Sequence, residues 1–142
     1  MDKNYKEVSI LLVEDDDVDA MGISRALKKL RMANPFHRAR DGIEALEMLR
    51  SQKIKRPHII LLDLNMPRMN GLELLQELRA DEELSDSVVF VLTTSKDDND
   101  IVQAYKKHIA GYIVKANLDT DFTELLLLLD HYWRIVELPV KN

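Results

Sequence analysis

The stretch His58-Ile59-Ile60-Leu61-Leu62-Asp63 decides the fold that we predict for this 142-residue chain. A continuous apolar run of this length is typical of a strand that is buried on both faces, as in a parallel sheet. Runs of the same kind occupy residues 8–13, 88–92 and 112–114, and each of them is followed by a polar residue. The pattern predicts parallel strands whose carboxyl ends carry chemically functional side chains.

Five polar side chains follow these four strands: Glu14, Asp15, Asp63, Thr93 and Lys115. Because ligands of open α/β sheets bind at the carboxyl ends of the strands, we expect these groups to converge. Any one of them alone is more often an ordinary surface or loop residue, but four strands that end in this way argue against chance. All the candidate metal ligands are oxygens, which favours Mg²⁺ over zinc or copper. A carboxylate in such a place can accept a phosphoryl group.

Strand and helix patterns alternate along the chain. Helical spacing of apolar residues predicts helices at 18–32, around 43–49, after Asn70, after 100 and at 119–137, and a weak second strand lies at 36–39. His58 is predicted to open a strand, Asn70 to cap a helix, and Pro139 to stop the last helix. Five strand–helix units predict an α/β fold with helices on both faces of a parallel sheet and right-handed crossovers.

Composition excludes several classes of protein. A length of 142 residues with 32% charged and 46% hydrophobic residues is typical of one globular domain. The net charge of −5 argues against a nucleic-acid-binding surface, and the lack of cysteine excludes disulfides and cysteine-based zinc sites. The four histidines have no ligand-like spacing. Residues 1–6 are polar and the following apolar run is too short for a signal peptide or a membrane span, so the cytoplasm is the expected compartment.

These motifs resemble the response regulator receiver domains of two-component signalling systems, the family of the chemotaxis response regulator. The matching stretches are ILLVEDDD (10–17), ARDGIEAL (39–46), IILLDLNMPRMNGLELL (59–75), VVFVLTTS (88–95) and GYIVK (111–115). The resemblance implies a flavodoxin-like (βα)5 three-layer sandwich with a parallel five-stranded sheet in the order 2-1-3-4-5. It also implies one receiver domain over residues 1–142, with its core at about 7–137 and without an effector domain.

The resemblance assigns a role to each residue at the predicted site. By position, Asp63 resembles the phosphoacceptor. Glu14 and Asp15 resemble the acidic pair that holds Mg²⁺ together with Asp63, and Asn65 would offer its backbone carbonyl to the same ion. Asp16 and Asp17 are interpreted as solvated residues that cap the first helix.

Three further residues match the switch of the family. Thr93 resembles the switch hydroxyl, Tyr112 the switch aromatic residue, and Lys115 the phosphate-binding lysine. We expect phosphorylation to draw the Thr93 hydroxyl towards the phosphoryl group and to let Tyr112 turn inward. Two positions depart from the family. The family usually has a proline after the lysine, joined by a cis peptide bond; this chain has Ala116 there, so the resemblance does not predict the geometry of the Lys115-Ala116 peptide. Thr94 replaces a very small residue and is expected to narrow access to Asp63.

The function implied is a phosphorelay switch that receives a phosphoryl group from a sensor histidine kinase and signals through protein–protein interaction. Residues 93–100 (TTSKDDND) and the Tyr132-Trp133 pair are most similar to small stand-alone regulators that partner phytochrome-type kinases. Enzymatic activity would be limited to self-catalysed phosphoryl transfer and autodephosphorylation. A phosphatase of the haloacid dehalogenase type is a second hypothesis, but it needs an aspartate where this chain has Asn65. A scaffold without signalling is disfavoured because the acceptor, acidic pair, hydroxyl and lysine are all present.

The last predicted helix has more apolar surface than one sheet-facing stripe requires. The residues predicted to cover the sheet are Phe122, Leu125, Leu126, Leu129, Trp133 and Val136. A second stripe consists of Leu128, Tyr132 and Ile135, and Leu127 and Leu138 add to the surplus. The family often dimerises through the face made by the fourth helix, the fifth strand and the last helix, so we expect a two-fold homodimer there. The alternative is a C-terminal segment that folds back over its own helix.

Overall fold

A computed structural model describes residues 7–119 and 121–140 of the chain. Its five strands form one parallel sheet in the order β2-β1-β3-β4-β5, which confirms the predicted fold. The elements are β1 (Ser9–Val13), α1 (Asp17–Lys29), β2 (Phe36–Ala39), α2 (Gly42–Arg50), β3 (His58–Leu62), α3 (Gly71–Ala80), β4 (Val88–Thr93), α4 (Asp98–Lys106), β5 (Gly111–Val114), a 3₁₀ helix (Lys115–Asn117) and α5 (Thr123–Ile135). Within the two described ranges, no helix is both long and apolar enough to cross a membrane.

The sheet separates two hydrophobic cores, as expected for a three-layer sandwich. Alternate residues of β1 face opposite sides: Leu11 packs into the core beneath α2 and α3, and Leu12 into the core beneath α1 and α5. Both faces of β1 and β3 are completely buried, because helices cover both sides. This burial explains the uninterrupted apolar runs in the sequence.

Strand register places the predicted site residues side by side. Val13 of β1 pairs with Leu62 of β3, so Glu14 and Asp63 follow at the same level of the sheet. Thr93 pairs with Val114, and Lys115 comes directly after. The carboxyl ends of four strands therefore meet at one edge.

Side-chain caps set where four of the helices begin. Asp16 caps α1 by accepting two backbone N–H groups, which confirms its interpretation as a capping residue. Asp41 and Asp97 cap α2 and α4 in the same way. The prediction for Asn70 is also confirmed: its side chain and that of Glu73 form a reciprocal capping box at the start of α3.

Three predicted bounds of the first and last helices are wrong, two of them because left-handed residues interrupt the helical path. The first helix ends at Lys29 rather than at residue 32, since Arg31 has φ of 56°. The last helix begins at Thr123 rather than at residue 119, since Phe122 has φ of 63°. It ends at Ile135, two residues before the predicted end.

Most of the predicted sheet-facing stripe of α5 is confirmed. Phe122 is half-buried, and the fully packed members are Leu125, Leu126, Leu129 and Trp133. The prediction for Val136 is wrong, because the chain has already left the helix there and the side chain is 39% exposed.

Two residues assigned to the outer surface of α5 belong to the core instead. Tyr132 stacks edge-on against Phe90 with ring centroids 5.1 Å apart. Leu138 is buried in the same core as Trp133, so the chain after α5 does fold back. Leu127, Leu128 and Ile135 nevertheless remain exposed, which leaves part of the predicted apolar surplus uncovered.

Candidate functional site

Three carboxylates meet at the carboxyl edge of the sheet. Glu14, Asp15 and Asp63 each offer one oxygen, and these oxygens all lie within 4.8 Å of one another. Glu14 and Asp63 are buried, whereas Asp15 is exposed. An all-oxygen cluster with an open side suits a hard divalent cation such as Mg²⁺ or Mn²⁺, which keeps some positions for water or phosphate oxygens.

The electrostatics of Glu14 support this interpretation. Burial raises the pKa of Glu14 to about 7, and the charge of Asp63 acts in the same direction while a hydrogen bond from Lys115 opposes it. Two buried carboxylates so close together disfavour the charged form unless a cation is near. The residues present therefore fit a divalent cation.

The loop after β3 holds Asp63 through backbone contacts. The Asp63 N–H donates to the carbonyl of Val13 at 3.1 Å, and the Asn65 N–H donates to Asp63 Oδ1 at 3.3 Å. Gly71, which the sequence argument did not single out, lets α3 approach this loop. A Cβ atom at Gly71 would lie 2.5 Å from the Asp63 carbonyl oxygen and 2.7 Å from Leu64 Cα, so only glycine is accommodated.

Thr93 and Tyr112 are connected through Ser95, a residue that the sequence argument missed. Thr93 is fully buried, and its Oγ1 accepts from the Ser95 N–H at 3.4 Å. The Tyr112 hydroxyl donates to the Ser95 carbonyl at 3.0 Å, and Ser95 Oγ donates to Asp100 of α4 at 2.7 Å. The loop after β4 thus links both predicted switch residues to α4.

The ring of Tyr112 packs towards the core in this structure. Its ring is half-buried against the core beneath α2 and α3, and burial together with nearby carboxylates raises its pKa. The movement of Tyr112 on phosphorylation stays a prediction. Thr94, expected to narrow access to Asp63, is an exposed residue.

Lys115 reaches the acidic cluster but is not closest to Asp63. Its Nζ donates to Glu14 Oε1 and to Asp19 Oδ2, both at 2.7 Å, and lies 3.9 Å from Asp63 Oδ2. Burial by itself would lower the pKa of Lys115, but the bonds to Asp19 and Glu14 outweigh it and raise the pKa above its ordinary value. Asp19 was also missed; the available signal was an acidic residue in the first turn of α1.

The backbone after Lys115 differs from that of the usual family motif. Lys115–Asn117 forms one turn of 3₁₀ helix. Over residues 7–119 and 121–140, the cis peptide bond lies between Arg56 and Pro57, so the peptide before Ala116 is trans. An alanine can follow the lysine here without the cost of a cis bond.

Comparison with known sequences identifies the family of the chain. The profile of the response regulator receiver domain matches residues 10–127. Response regulator Rcp1 of Synechocystis sp. is 33% identical over 135 residues, which cover 92% of each chain. A probable methanogenesis regulatory protein, FilR2 of Methanothrix harundinacea, is 36% identical over 127 residues, 87% of this chain and 82% of the relative.

Comparison with solved structures gives the same result. The phosphorylated cyanobacterial phytochrome response regulator RcpA is 33% identical with a TM-score of 0.83, covering 95% of this chain and 99% of that one. The Mn²⁺-bound form of Rcp1 is 32% identical with a TM-score of 0.81, covering 94% and 99%. This chain therefore belongs to the response regulator receiver domain family, whose members are signalling proteins of two-component systems.

Proposed function

We propose that this protein is a phospho-accepting switch in which Asp63 receives a phosphoryl group from a sensor histidine kinase in the cytoplasm. The observation that carries the proposal is the convergence of Glu14, Asp15 and Asp63 beside the Lys115 ammonium. Residues of about 7–137 would act as one receiver unit, and the signal would leave through protein–protein interaction.

Each residue would have a distinct part in the transfer. An Asp63 oxygen attacks the phosphorus of the phosphohistidine, the P–N bond breaks, and the imidazole nitrogen keeps the electron pair and takes up a proton. Glu14, Asp15, Asp63 and the Asn65 carbonyl would hold Mg²⁺, which supplies positive charge for the phosphoryl oxygens. Lys115 and the Thr93 hydroxyl would meet the remaining oxygens. Attack of water on the acyl phosphate later restores the Asp63 carboxylate and releases phosphate.

The alternative is a phosphatase that acts on external phosphomonoesters. Such an enzyme would need a general acid two residues after Asp63, where Asn65 stands with its N–H donating to the Asp63 carboxylate. An amide cannot donate a carboxyl proton to a leaving group, so we propose no turnover of external substrates. Activity would be limited to self-catalysed phosphoryl transfer and autodephosphorylation.

The experiment that tests the site is phosphorylation with a small donor. Incubation with phosphoramidate and Mg²⁺ should add one phosphoryl mass to the intact protein, and Asp63→Asn should abolish it. Asp86→Asn, at the opposite edge of the sheet, is a matched control that should label like the parent. A chelator should also stop labelling, because the acidic cluster then repels the incoming anion. Full labelling of Asp63→Asn would refute the assignment.

The signal would leave the site through Thr93, Ser95 and Tyr112. A phosphoryl group that binds the Thr93 hydroxyl would weaken its contact with the Ser95 N–H and shift the equilibrium between two packings of the loop after β4. Thr93→Ala should still be labelled but should lose the phosphorylation-dependent change in the NMR signal of fluorinated Tyr112. An equal change in the parent and in Thr93→Ala would contradict this coupling.

The proposed kinase is of the phytochrome type. The support is the likeness to RcpA, which is a phytochrome response regulator, over 95% of this chain. Transfer from a purified phytochrome-type kinase should be faster than transfer from an unrelated sensor kinase. Equal rates from both would leave only the broader proposal of a histidine kinase.

We further propose a homodimer through the α4–β5–α5 face. Exposed apolar side chains lie on α5 at Leu128 (49%) and Ile135 (81%), and on α4 at Val102 (48%) and Tyr105 (50%). Burying such side chains contributes about 1.5–3 kcal/mol each before association costs. The parent should sediment as a dimer at micromolar concentration, and Leu128→Asp/Ile135→Asp as a monomer. Met21→Asp, an exposed position on α1, should stay dimeric; a monomeric parent with and without a phosphoryl mimic would refute the dimer.

A further inference from the structure

The Lys115 ammonium donates its hydrogen bonds to residues other than Asp63. Its two hydrogen bonds of 2.7 Å go to Glu14 and Asp19, whereas the 3.9 Å to Asp63 Oδ2 exceeds the range of a hydrogen bond. In the proposed function, the Lys115 ammonium would contact the phosphoryl group on Asp63. In this structure the ammonium instead lies closer to Glu14 and Asp19 than to Asp63.

Asp19 differs from the carboxylates of the metal cluster. It lies in the first turn of α1, and in the described part of the chain the converging oxygens belong to Glu14, Asp15 and Asp63 instead. The contact between Asp19 and Lys115 joins residues 96 positions apart in sequence, and the Asp19 side chain is 26% exposed. A bound cation would compete for Glu14, but it would leave Asp19 as a partner for the lysine.

We propose that Asp19 is a positioning residue that holds the Lys115 ammonium away from Asp63 and thereby slows phosphoryl acceptance. This inference rests on the proposed function of Asp63. To donate to a phosphoryl oxygen on Asp63, the ammonium must move towards that residue and lengthen its contact with Asp19.

Removing the charge of Asp19 should therefore accelerate the reaction. Asp19→Asn keeps the shape of the side chain and one acceptor oxygen but releases the ammonium. We expect labelling of Asp63 by phosphoramidate at saturating Mg²⁺ to become about three- to tenfold faster, the effect expected from weakening a partly exposed ion pair. Asp19→Glu restores the carboxylate and should return the rate towards that of the parent.

Asp17→Asn is the matched control for charge. Asp17 lies in the same turn of α1, but its carboxylate pairs with Arg38 at 2.7 Å and Arg40 at 3.1 Å. The variant removes the same unit of charge without releasing Lys115, and its labelling rate should stay within about twofold of the parent. A gain in Asp17→Asn equal to that in Asp19→Asn would reduce the effect to net charge and overturn the proposal.

A double variant of Asp19 and Lys115 tests whether Asp19 acts through Lys115 or has only a structural role. In a Lys115→Met background, Asp19→Asn should no longer change the labelling rate, because the group on which Asp19 acts is gone. In the metal-free parent, the Nζ protons of Lys115 should exchange slowly enough for NMR detection, and Asp19→Asn should speed their exchange. Asp19→Ser serves as a second variant should the asparagine variant fail to fold, as judged by thermal unfolding.

The outcomes distinguish this inference from the proposed function. Peptide mapping that finds the phosphoryl group away from Asp63 in the parent would refute the proposed function itself. Labelling at Asp63 with an unchanged or slower rate in Asp19→Asn would overturn the positioning role alone. An acceleration that persists in the Lys115→Met background would also overturn it.

Discussion

The two edges of the sheet bury polar groups in opposite ways. At the amino-terminal edge, the Arg79 guanidinium donates to four backbone carbonyls, those of Ser85, Ser87, Lys107 and His108. At the carboxyl edge, Glu14 and Asp63 are buried beside one shared ammonium. The first arrangement is satisfied within the chain and stabilises the fold. The second keeps an excess of negative charge, and that excess is what prepares it for a cation and a phosphoryl group.

The largest effect on stability should come from Arg79 at the amino-terminal edge. Arg79→Met removes the donor of four backbone carbonyls, two of them part-buried, which should lower the free energy of unfolding by about 3 kcal/mol in urea denaturation. Arg50→Met is the matched control, because Arg50 makes exposed ion pairs with Asp81 and Glu77 and should cost about 1 kcal/mol or less. Labelling of folded Arg79→Met at Asp63 should be normal, and equal costs for the two arginines would break the comparison.

A second effect at the same edge depends on pH. Burial, followed by the charge of Arg56, lowers the pKa of His58 from 6.5 to about 4, so His58 is neutral in the folded protein and gains a proton on unfolding below pH 6.5. Its contribution to stability is complete above pH 6.5 and is lost as the pH falls through 4, by up to about 3 kcal/mol. Urea denaturation should show that the parent loses more stability than His58→Gln between pH 7 and pH 4. If the stability of the parent and of His58→Gln changed equally with pH, the lowered pKa of His58 would be contradicted.

At the carboxyl edge, the pH dependence of the free energy of unfolding should have the opposite sign. Because the pKa of Glu14 is raised from 4.5 to about 7, the folded protein holds this proton more tightly than the unfolded chain does. The resulting penalty is absent below pH 4.5 and complete above pH 7. Without Mg²⁺, Glu14→Gln should therefore gain stability relative to the parent between pH 5 and pH 8, by about 1–2 kcal/mol after the loss of the charged contact with Lys115.

Mg²⁺ sharpens this last measurement. A cation that binds the folded parent stabilises it by mass action, so saturating Mg²⁺ should cancel the gain of Glu14→Gln at pH 8. The measurement is urea denaturation at matched ionic strength with Mg²⁺ or Na⁺. Equal stabilisation of parent and variant by Mg²⁺ would place the cation away from Glu14.

Local patterns carried most of the fold prediction. The apolar runs that became β1, β3 and β4 are long enough to specify buried strands, and Asn70 with Glu73 specifies a helix start through a contact of three residues. The end of α1 and the start of α5 were not predicted, because Arg31 and Phe122 adopt left-handed conformations although neither residue is a glycine. Such conformations depend on what surrounds the residue.

The site divides in the same way. The polar residues that end the strands could be named from the sequence, since a parallel sheet brings all its carboxyl ends to one edge. Asp19 and Ser95 were not named, because their importance lies in contacts with Lys115 and Tyr112 that join distant segments. Gly71 was missed for the same reason. Only the packing of α3 against the loop after Asp63 shows that a Cβ atom at this position would clash.

The sequence by itself determined the buried parallel strands and the set of groups at the carboxyl edge, because these follow from periodicity and from the residue at each strand end. Its motifs indicated the family, and the family implied the order of the strands. Only the tertiary structure decided how the charges are shared. The Lys115 ammonium lies nearer to Glu14 and Asp19 than to Asp63, and Leu138 rather than Val136 completes the core beneath α5. Those choices depend on distances between elements, which local sequence does not contain.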